Sequence, residues 1–278
     1  MLNLLVPTEP HEVMTSVLET ALLVQQRFES YVESFALRPA IPDYVPIDMV
    51  SGLAWHVDEK ADEEARRNSH AIFTGFVEAN GLKATPPGAI QAGYGWYPKA
   101  PAGDAFLASH GRLFDLVVLG RPVAGKAVPS MATLEAVLFE TGRPILIAPP
   151  KAPASLGATI VIAWNGSTET ARTVGFAGPF LRRAKKIIVL TVEGWTAGGP
   201  SGEQLALSLR RNDVAAEAVH APASGRNSGE AILSQTAALG GDLLIKGAYT
   251  QSRLRQMIFG GATAHILAAA EVPVLMAN

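Results

Sequence analysis

The sequence predicts an α/β protein in which two doubly wound parallel sheets follow each other along one chain. The first observation is that short apolar runs, such as residues 243–245, alternate with helical patterns, as expected for strands buried on both faces. The second is a diverged internal repeat. Residues 114–120 are echoed by 241–247, and residues 142–149 are echoed by 272–278, at nearly the same separation. Each half therefore begins and ends with a strand.

The first half opens with a predicted strand at residues 2–6 and a predicted helix at 12–28, whose apolar residues recur at helical spacing. Residues 31–50 have an irregular pattern that contains several prolines, and a second helix is predicted at 58–79. An aromatic run at residues 94–97 lies among glycines. We interpret this run as a packed loop or a dimer contact, and a lid over a ligand is the alternative.

The second half has a more regular alternation. Its predicted strands lie at 160–163, 186–192, 215–220, 243–245 and 272–276, and its predicted helices at 169–184, 203–211, 228–239 and after Gly260. A glycine-rich loop at 194–202 follows the second of these strands. The proline-rich junction at 149–153 predicts a boundary between domains at 1–150 and 151–278. In such sheets a ligand binds at the carboxyl ends of the strands, where the strand order reverses.

The composition excludes several classes of protein. The formal net charge is −2, so no general attraction to nucleic acid or to an anionic membrane is expected. No apolar run reaches the ~18 residues of a membrane span, and no basic region precedes the first apolar residues, as it would in an export signal. The chain has no cysteine, which excludes disulfides, thiol catalysis and Cys–zinc sites. We therefore expect a cytoplasmic protein.

A glycine-spaced segment near the end of the chain is the main functional signal. It contains the stretches DLLIKGAY, SRLRQMIFGGAT and VPVLMA, which predict a strand, a loop with a helix, and a second strand. The segment resembles the universal stress protein family, whose nucleotide-binding members carry Gly, two residues, Gly, nine residues, Gly and then Ser or Thr. Gly247 and Gly260 match this frame, whereas Thr250 and Gly261 occupy its other two positions.

The resemblance implies the adenine nucleotide alpha hydrolase-like fold, with strand order 3-2-1-4-5 in each half. It also implies that the fifth strands pair to form an intrachain pseudo-dimer, and it leaves a homodimer open. The implied function is a stress-response protein that binds ATP, ADP or AMP with Mg²⁺ in the second half, as a switch or sensor. Carried over by position, the base would contact Ala163, Asn165 and Val192. The phosphates would contact the segment that contains Gly247, Thr250, Gly260, Gly261 and Thr263.

Two alternatives stay open at this site. Asn165-Gly166 is also an ordinary turn signal before a helix. Thr250 has two opposite interpretations. If the backbone there needs φ > 0, a threonine costs ~1–3 kcal/mol or moves the loop away from a phosphate. Alternatively, the threonine hydroxyl itself donates a hydrogen bond to that phosphate.

The first half lacks the glycine spacing, and we expect it to be a degenerate half that does not bind nucleotide. The stretch from Gly120 to Lys126 matches a P-loop up to its lysine. The next position, where a P-loop has Ser or Thr, is Ala127, which lacks the hydroxyl that would bind Mg²⁺. No nucleophile, general base or metal-ligand spacing is visible, so fast catalysis has no identifiable agent. The alternatives to a nucleotide switch are an interaction scaffold with both sites empty and a slow ATPase.

Overall fold

A single mixed sheet runs through the chain in the computed structural model, which describes residues 2–39, 59–86, 89–248 and 261–278. The strands within these ranges are β1 (Asn3–Thr8), β2 (Tyr31–Ala36), β3 (Gly93–Trp96), β4 (Leu116–Gly120), β5 (Ile145–Ala148), β6 (Thr159–Ala163), β7 (Lys186–Val192), β8 (Ala216–Ala221), β9 (Leu243–Gly247) and β10 (Val274–Ala277). Their order across the sheet is β3-β2-β1-β4-β5-β10-β9-β6-β7-β8. Each half therefore has the order 3-2-1-4-5, which confirms the predicted fold class.

The helices lie on both faces of this sheet. They are α1 (Met14–Phe28), α2 (Glu59–Ala79), α3 (Asp104–His110), α4 (Met131–Glu140), α5 (Thr168–Phe176), α6 (Gly178–Leu181), α7 (Gly202–Arg210), α8 (Ser228–Ala238) and α9 (Gly261–Ala269). One apolar core lies between the sheet and α1, α2, α5, α6 and α7, and a second core lies between the sheet and α3, α4, α8 and α9. Burial on both faces explains why most strands are apolar throughout.

The two halves meet through their fifth strands. Strands β5 and β10 pair antiparallel, with Val274 opposite Ile147 and Met276 opposite Ile145, whereas the other neighbouring strands pair in parallel. The two halves therefore form one continuous sheet. They join through their fifth strands, which is the pairing that the family resemblance implies. The proposed domain boundary after residue 150 stays a prediction. None of the helices in the described ranges combines the length and apolar character that a membrane crossing requires.

The prediction of an irregular region at 31–50 is wrong for its first residues. Residues 31–36 form β2, which pairs with β1 along its whole length. The prolines further along the region dominate the sequence pattern. The polar residue Ser34, which is buried in the structure, interrupts the apolar run that would have predicted a strand. In the structure Ser34 shares a 2.7 Å hydrogen bond with Thr8 of β1, so its burial is compensated. Residues 40–50 lie outside the described part of the chain.

The aromatic run at 94–97 is mostly a strand rather than a packed loop. Gly93–Trp96 forms β3, the edge strand of the first half. Tyr94 and Trp96 both contact the ring of Phe73 on α2, with centroid separations of 5.8 Å.

The helix predicted at 169–184 is also interrupted between α5 and α6. Pro179 lies in the first turn of α6, where the missing N–H is tolerated, and it cannot continue the hydrogen bonds of α5.

Candidate functional site

The predicted site lies at the carboxyl ends of β6 and β9, where the strand order of the second half reverses. Ala163 and Gly247 end these two strands, and Asn165 follows β6 in the turn that leads to α5. Val192 ends β7, the next strand across the sheet. The structure thus brings these four residues to one edge of the sheet. Thr250 and Gly260 lie outside the described residues.

The side chain of Asn165 is used within the turn. Its Oδ1 accepts hydrogen bonds from the Ser167 backbone N–H at 3.2 Å and from the Thr170 hydroxyl at 2.9 Å. Ser167 in turn caps α5, because its Oγ accepts from the Thr170 backbone N–H. The geometry therefore supports the interpretation of Asn165-Gly166 as a turn that starts a helix.

The glycine-rich loop after β7 closes over the end of β6. Asn165 accepts a 2.8 Å backbone hydrogen bond from Ala197, and the Trp164 indole donates a 2.7 Å hydrogen bond to the Pro200 carbonyl. Gly199 contacts Gly166 so closely that a Cβ on Gly199 would lie 2.4 Å from the Gly166 carbonyl oxygen. The predicted base contacts Ala163 and Val192 have no exposed surface and belong to the second apolar core. A base could reach them only after the residues around them move.

Gly247 is required by close packing at the end of β9. A Cβ at this position would lie 2.4 Å from the Thr170 backbone nitrogen and 2.7 Å from the Glu169 carbonyl carbon, both in α5. Gly261 is the first residue of α9, and Thr263 lies buried in the first turn of that helix. The described end of the predicted phosphate segment therefore begins a helix, where free backbone N–H groups are available.

A buried lysine lies at the centre of this edge. The Lys246 side chain projects from β9, and the residue is only 3% exposed. Its Nζ donates 2.8 Å hydrogen bonds to the Gly247 carbonyl and to the Thr263 hydroxyl, and it lies 5.6 Å from the centroid of the Trp195 ring. Burial lowers the pKa of Lys246 to about 8.

No carboxylate compensates this charge among the described residues, since Lys246 forms no ion pair with any of them. The segment 249–260, which follows in sequence, contains no Asp or Glu. A buried ammonium group without a counter-charge is costly, because water no longer solvates it. Lys246 is therefore a buried basic group at this edge that has no carboxylate partner among the described residues.

The corresponding edge of the first half has the opposite chemistry. A small cavity, with room for about one water molecule, lies at the ends of β1 and β4 and is lined by Glu9, His11 and Gly120 among others. Burial, and then the nearby charge of Asp104, raises the pKa of Glu9 to about 7. Burial lowers the pKa of His11 to about 4, so the imidazole is neutral at pH 7.

The fold has relatives among the solved structures. A universal stress protein from Archaeoglobus fulgidus DSM 4304 aligns over 99% of this chain and 98% of its own, with a TM-score of 0.71 and 15% sequence identity. This chain has the universal stress protein fold. A functionally unknown protein from Pseudomonas aeruginosa PAO1 aligns over 99% of this chain and 92% of its own, with a TM-score of 0.50 and 14% identity. No protein-family model and no curated protein matches the chain.

Sequence reasoning missed three residues at these edges of the universal stress protein fold. Lys246 carries a signal in the sequence, because it is a charged residue inside the apolar run LLIKG. Trp195 and His11 carry no comparable signal. Their roles depend on contacts between the ends of strands, which the local pattern does not specify.

Proposed function

We propose that this chain takes part in a stress response, and that its second half binds an adenine nucleotide, ATP, ADP or AMP, with Mg²⁺. In this proposal the nucleotide acts as a switch or sensor and is not turned over rapidly. The universal stress protein fold supports the stress-response role, and the reversal of strand order supports the position of the site. A cytoplasmic location and a homodimer belong to the same proposal.

The observation that carries the proposal is the buried ammonium group of Lys246. A nucleotide phosphate would supply the negative charge that the described surroundings of Lys246 lack. Within the described part of the chain, Lys246 uses two of its three N–H donors, on Gly247 and Thr263, so in this proposal the third donates to a phosphate oxygen. The first turn of α9, which starts at Gly261, adds backbone N–H groups and the positive end of its dipole.

The residues fit the phosphate part of a nucleotide better than its base. Ala163 and Val192 have no exposed surface, so base binding requires a rearrangement around them, and the loop between β7 and α7 is the segment that would open. Gly194 and Gly198 in the loop have φ values of 73° and 60°, which favour glycine and permit such a rearrangement. Opening would also separate Trp195 from Lys246. We infer that this loop movement is the switch.

The test is calorimetric titration of the purified chain with Mg-ATP, Mg-ADP and AMP, after a check for carried-over nucleotide by mass spectrometry. Replacing Lys246 by Met keeps a long apolar side chain and removes the charge. We expect Lys246→Met to weaken binding by about tenfold to a hundredfold, the usual value of a hydrogen bond to a charged group. The matched control is Lys186→Met, which removes an exposed lysine that pairs with Glu217.

The closed loop also favours a second candidate, an interaction scaffold that binds no nucleotide. The Gly166–Gly199 contact and the partly buried Trp164–Pro200 hydrogen bond make the closed form well packed. No binding heat with any of the three nucleotides, and no carried-over nucleotide, would reject the switch and leave the scaffold. Binding that is equally strong in Lys246→Met would reject the role of the lysine.

A further inference from the structure

The oxygen atoms around Lys246 are poorly suited to hold the Mg²⁺ that would accompany a nucleotide. Mg²⁺ demands near-octahedral oxygen coordination and is usually anchored by one or two carboxylates besides phosphate oxygens. Lys246 forms no ion pair with a described acid. No group of three or more His, Asp or Glu among the described residues could hold a metal ion. The described part of this edge therefore lacks the anchor that Mg²⁺ normally uses.

One acid, Glu169, lies in the first turn of α5, the helix against which Gly247 packs. Its Oε1 accepts a 3.1 Å hydrogen bond from the Thr168 hydroxyl, and this hydrogen bond is exposed to solvent. Glu169 forms no ion pair with Lys246. It therefore does not supply the missing counter-charge.

Two oxygen atoms that could approach a metal ion already accept hydrogen bonds from a cation. The Gly247 carbonyl oxygen and the Thr263 hydroxyl oxygen each lie 2.8 Å from Lys246 Nζ. A Mg²⁺ ion bound to either oxygen at its usual distance of about 2.1 Å would lie within about 5 Å of the ammonium nitrogen. Lys246 is only 3% exposed, so water would screen their repulsion poorly. The ammonium group thus disfavours a metal ion at both oxygens.

A third candidate ligand, the carboxamide oxygen of Asn165, is also occupied. It accepts hydrogen bonds from the Ser167 backbone N–H at 3.2 Å and from the Thr170 hydroxyl at 2.9 Å. A carboxamide oxygen has two lone pairs, and these two hydrogen bonds use both of them. Asn165 therefore has no lone pair left for a metal ion.

The chain itself provides the positive charge that Mg²⁺ would otherwise bring to the phosphates. The first turn of α9, a helix of nine residues, adds the positive end of its dipole next to Thr263. In the sequence, residues 249–260 contain Arg253 and Arg255 but no acid. Positive groups of this kind attract phosphate and repel a metal cation.

We propose that the second half binds its nucleotide independently of Mg²⁺, because the Lys246 ammonium group takes the place of the metal ion and neutralises the phosphates. Thr263 then holds the ammonium group, so it is a positioning residue for Lys246. Any Mg²⁺ that stays on the nucleotide is held by phosphate oxygens and water alone. This inference rests on the proposed function and removes Mg²⁺ as one of its requirements.

The experiment is calorimetric titration of the full chain with ADP at pH 7.5, once in excess Mg²⁺ and once in EDTA. Chelation of Mg²⁺ leaves more negative charge on the phosphates, which favours their binding to an ammonium group. We expect the dissociation constant in EDTA to be lower than that in Mg²⁺ or at most about threefold higher. A larger dependence on Mg²⁺ would overturn the inference and leave nucleotide binding intact. No binding in either buffer would reject the proposed function, and the inference with it.

The variant Lys246→Met tests whether the ammonium group and Mg²⁺ substitute for each other. Its loss of ADP affinity should be at least about threefold larger in EDTA than in Mg²⁺, because the metal ion partly replaces the lost charge. The control Lys186→Met removes an exposed lysine that pairs with Glu217, and it should leave both affinities unchanged. Equal losses for Lys246→Met in the two buffers would show that the lysine does not replace the metal ion.

The variant Thr263→Val keeps the lysine and separates the two possible roles of the hydroxyl. If Thr263 positions Lys246, the loss of ADP affinity should agree within about twofold between Mg²⁺ and EDTA. Thr263→Ser, which keeps a hydroxyl, should restore the affinity. A loss that is confined to Mg²⁺ would identify Thr263 as a metal ligand and would contradict the inference.

Discussion

The two halves share a strand order but differ in charge at the point where that order reverses. In the first half, β4 ends in Leu119 and Gly120, and the turn after β1 carries Glu9. In the second half, β9 ends in Lys246 and Gly247. Among the described residues, Glu9 at the first edge therefore has no basic partner, and Lys246 at the second edge has no acidic partner.

This difference indicates where ligand chemistry is encoded in such a sheet. The fold provides the same edge twice, and the side chains at the strand ends give each edge its own chemistry. An isolated buried charge is costly, and a ligand of opposite sign at the second edge, as we propose, would reduce that cost. The comparison leads to predictions in which the same change, made at equivalent positions, has different effects.

The largest expected difference concerns the two glycines that end the fourth strands. A Cβ at Gly247 would meet backbone atoms of α5 at 2.4 and 2.7 Å, which cannot rotate away. A Cβ at Gly120 would meet side chains, Pro129 Cγ at 2.7 Å and Val17 Cγ2 at 3.2 Å. We expect Gly247→Ala to lower the free energy of unfolding by about 3 kcal/mol or more, and Gly120→Ala by about 1–2 kcal/mol. Urea unfolding measures both, and equal losses would contradict the difference in packing.

The next prediction concerns the alkaline side of the stability profile. The pKa of Lys246 is about 8 in the folded chain, against an ordinary value of 10.5. Between these values the unfolded chain binds more protons, so the free energy of unfolding should rise with pH from about 8 to 10.5. The total rise is at most about 3 kcal/mol.

The variant Lys246→Met should lack this rise and should be more stable than the natural chain at pH 7. Lys186→Met, at an exposed position, serves as its control and should keep the rise. A parallel pH profile in the natural chain and in Lys246→Met would show that the buried lysine is not the titrating group.

A smaller change of opposite sign is expected on the acid side. The pKa of Glu9 rises from 4.5 to about 7 on folding, so the folded chain holds this proton more tightly. Its contribution to stability is therefore lost as pH rises from about 4.5 to 7. His11 acts in the opposite direction, because its pKa falls from 6.5 to about 4 on folding. The informative quantity is thus the difference in the free energy of unfolding between the natural chain and Glu9→Gln.

That difference should grow in favour of Glu9→Gln as pH rises to 7, reaching about 1–2 kcal/mol after allowance for the partial exposure of the carboxyl group. Thermal or urea unfolding at pH 5 and pH 8 is sufficient. Glu12→Gln should show no comparable gain, since Glu12 is exposed. A constant difference between the natural chain and Glu9→Gln across this range would contradict the assignment.

Much of the fold could be predicted because the strands near the centre of the sheet are continuous apolar runs. The runs at 243–245 and 160–163 and the echo between the two halves predict the central strands, whereas their order came from the resemblance to the universal stress protein family. Strands β2 and β3 could not be predicted in this way. Ser34 and Glu33 interrupt the apolar pattern of β2, and β3 is an edge strand with two glycines, stabilised by the contact of Tyr94 and Trp96 with a distant helix.

The site was less predictable, because its chemistry depends on contacts between residues far apart in the chain. Gly247 was recognised from its spacing, and its close approach to α5 gives that spacing a physical reason. The closure of the loop over β6 depends on the contact of Gly199 with Gly166. The sequence around either glycine does not predict this contact. The acid pair in the first half likewise depends on Asp104 lying near Glu9. The local sequence pattern does not predict which of these distant residues come into contact.

The most direct test of the role of the buried charge is a paired titration. The natural chain, Lys246→Met and Glu9→Gln are each titrated with Mg-ADP at pH 7.5. The account predicts that Lys246→Met loses affinity for Mg-ADP and that Glu9→Gln, which changes a buried charge of the other half, keeps it. If both variants lose affinity equally, or if Lys246→Met binds Mg-ADP as tightly as the natural chain, the buried charge of Lys246 does not determine nucleotide binding.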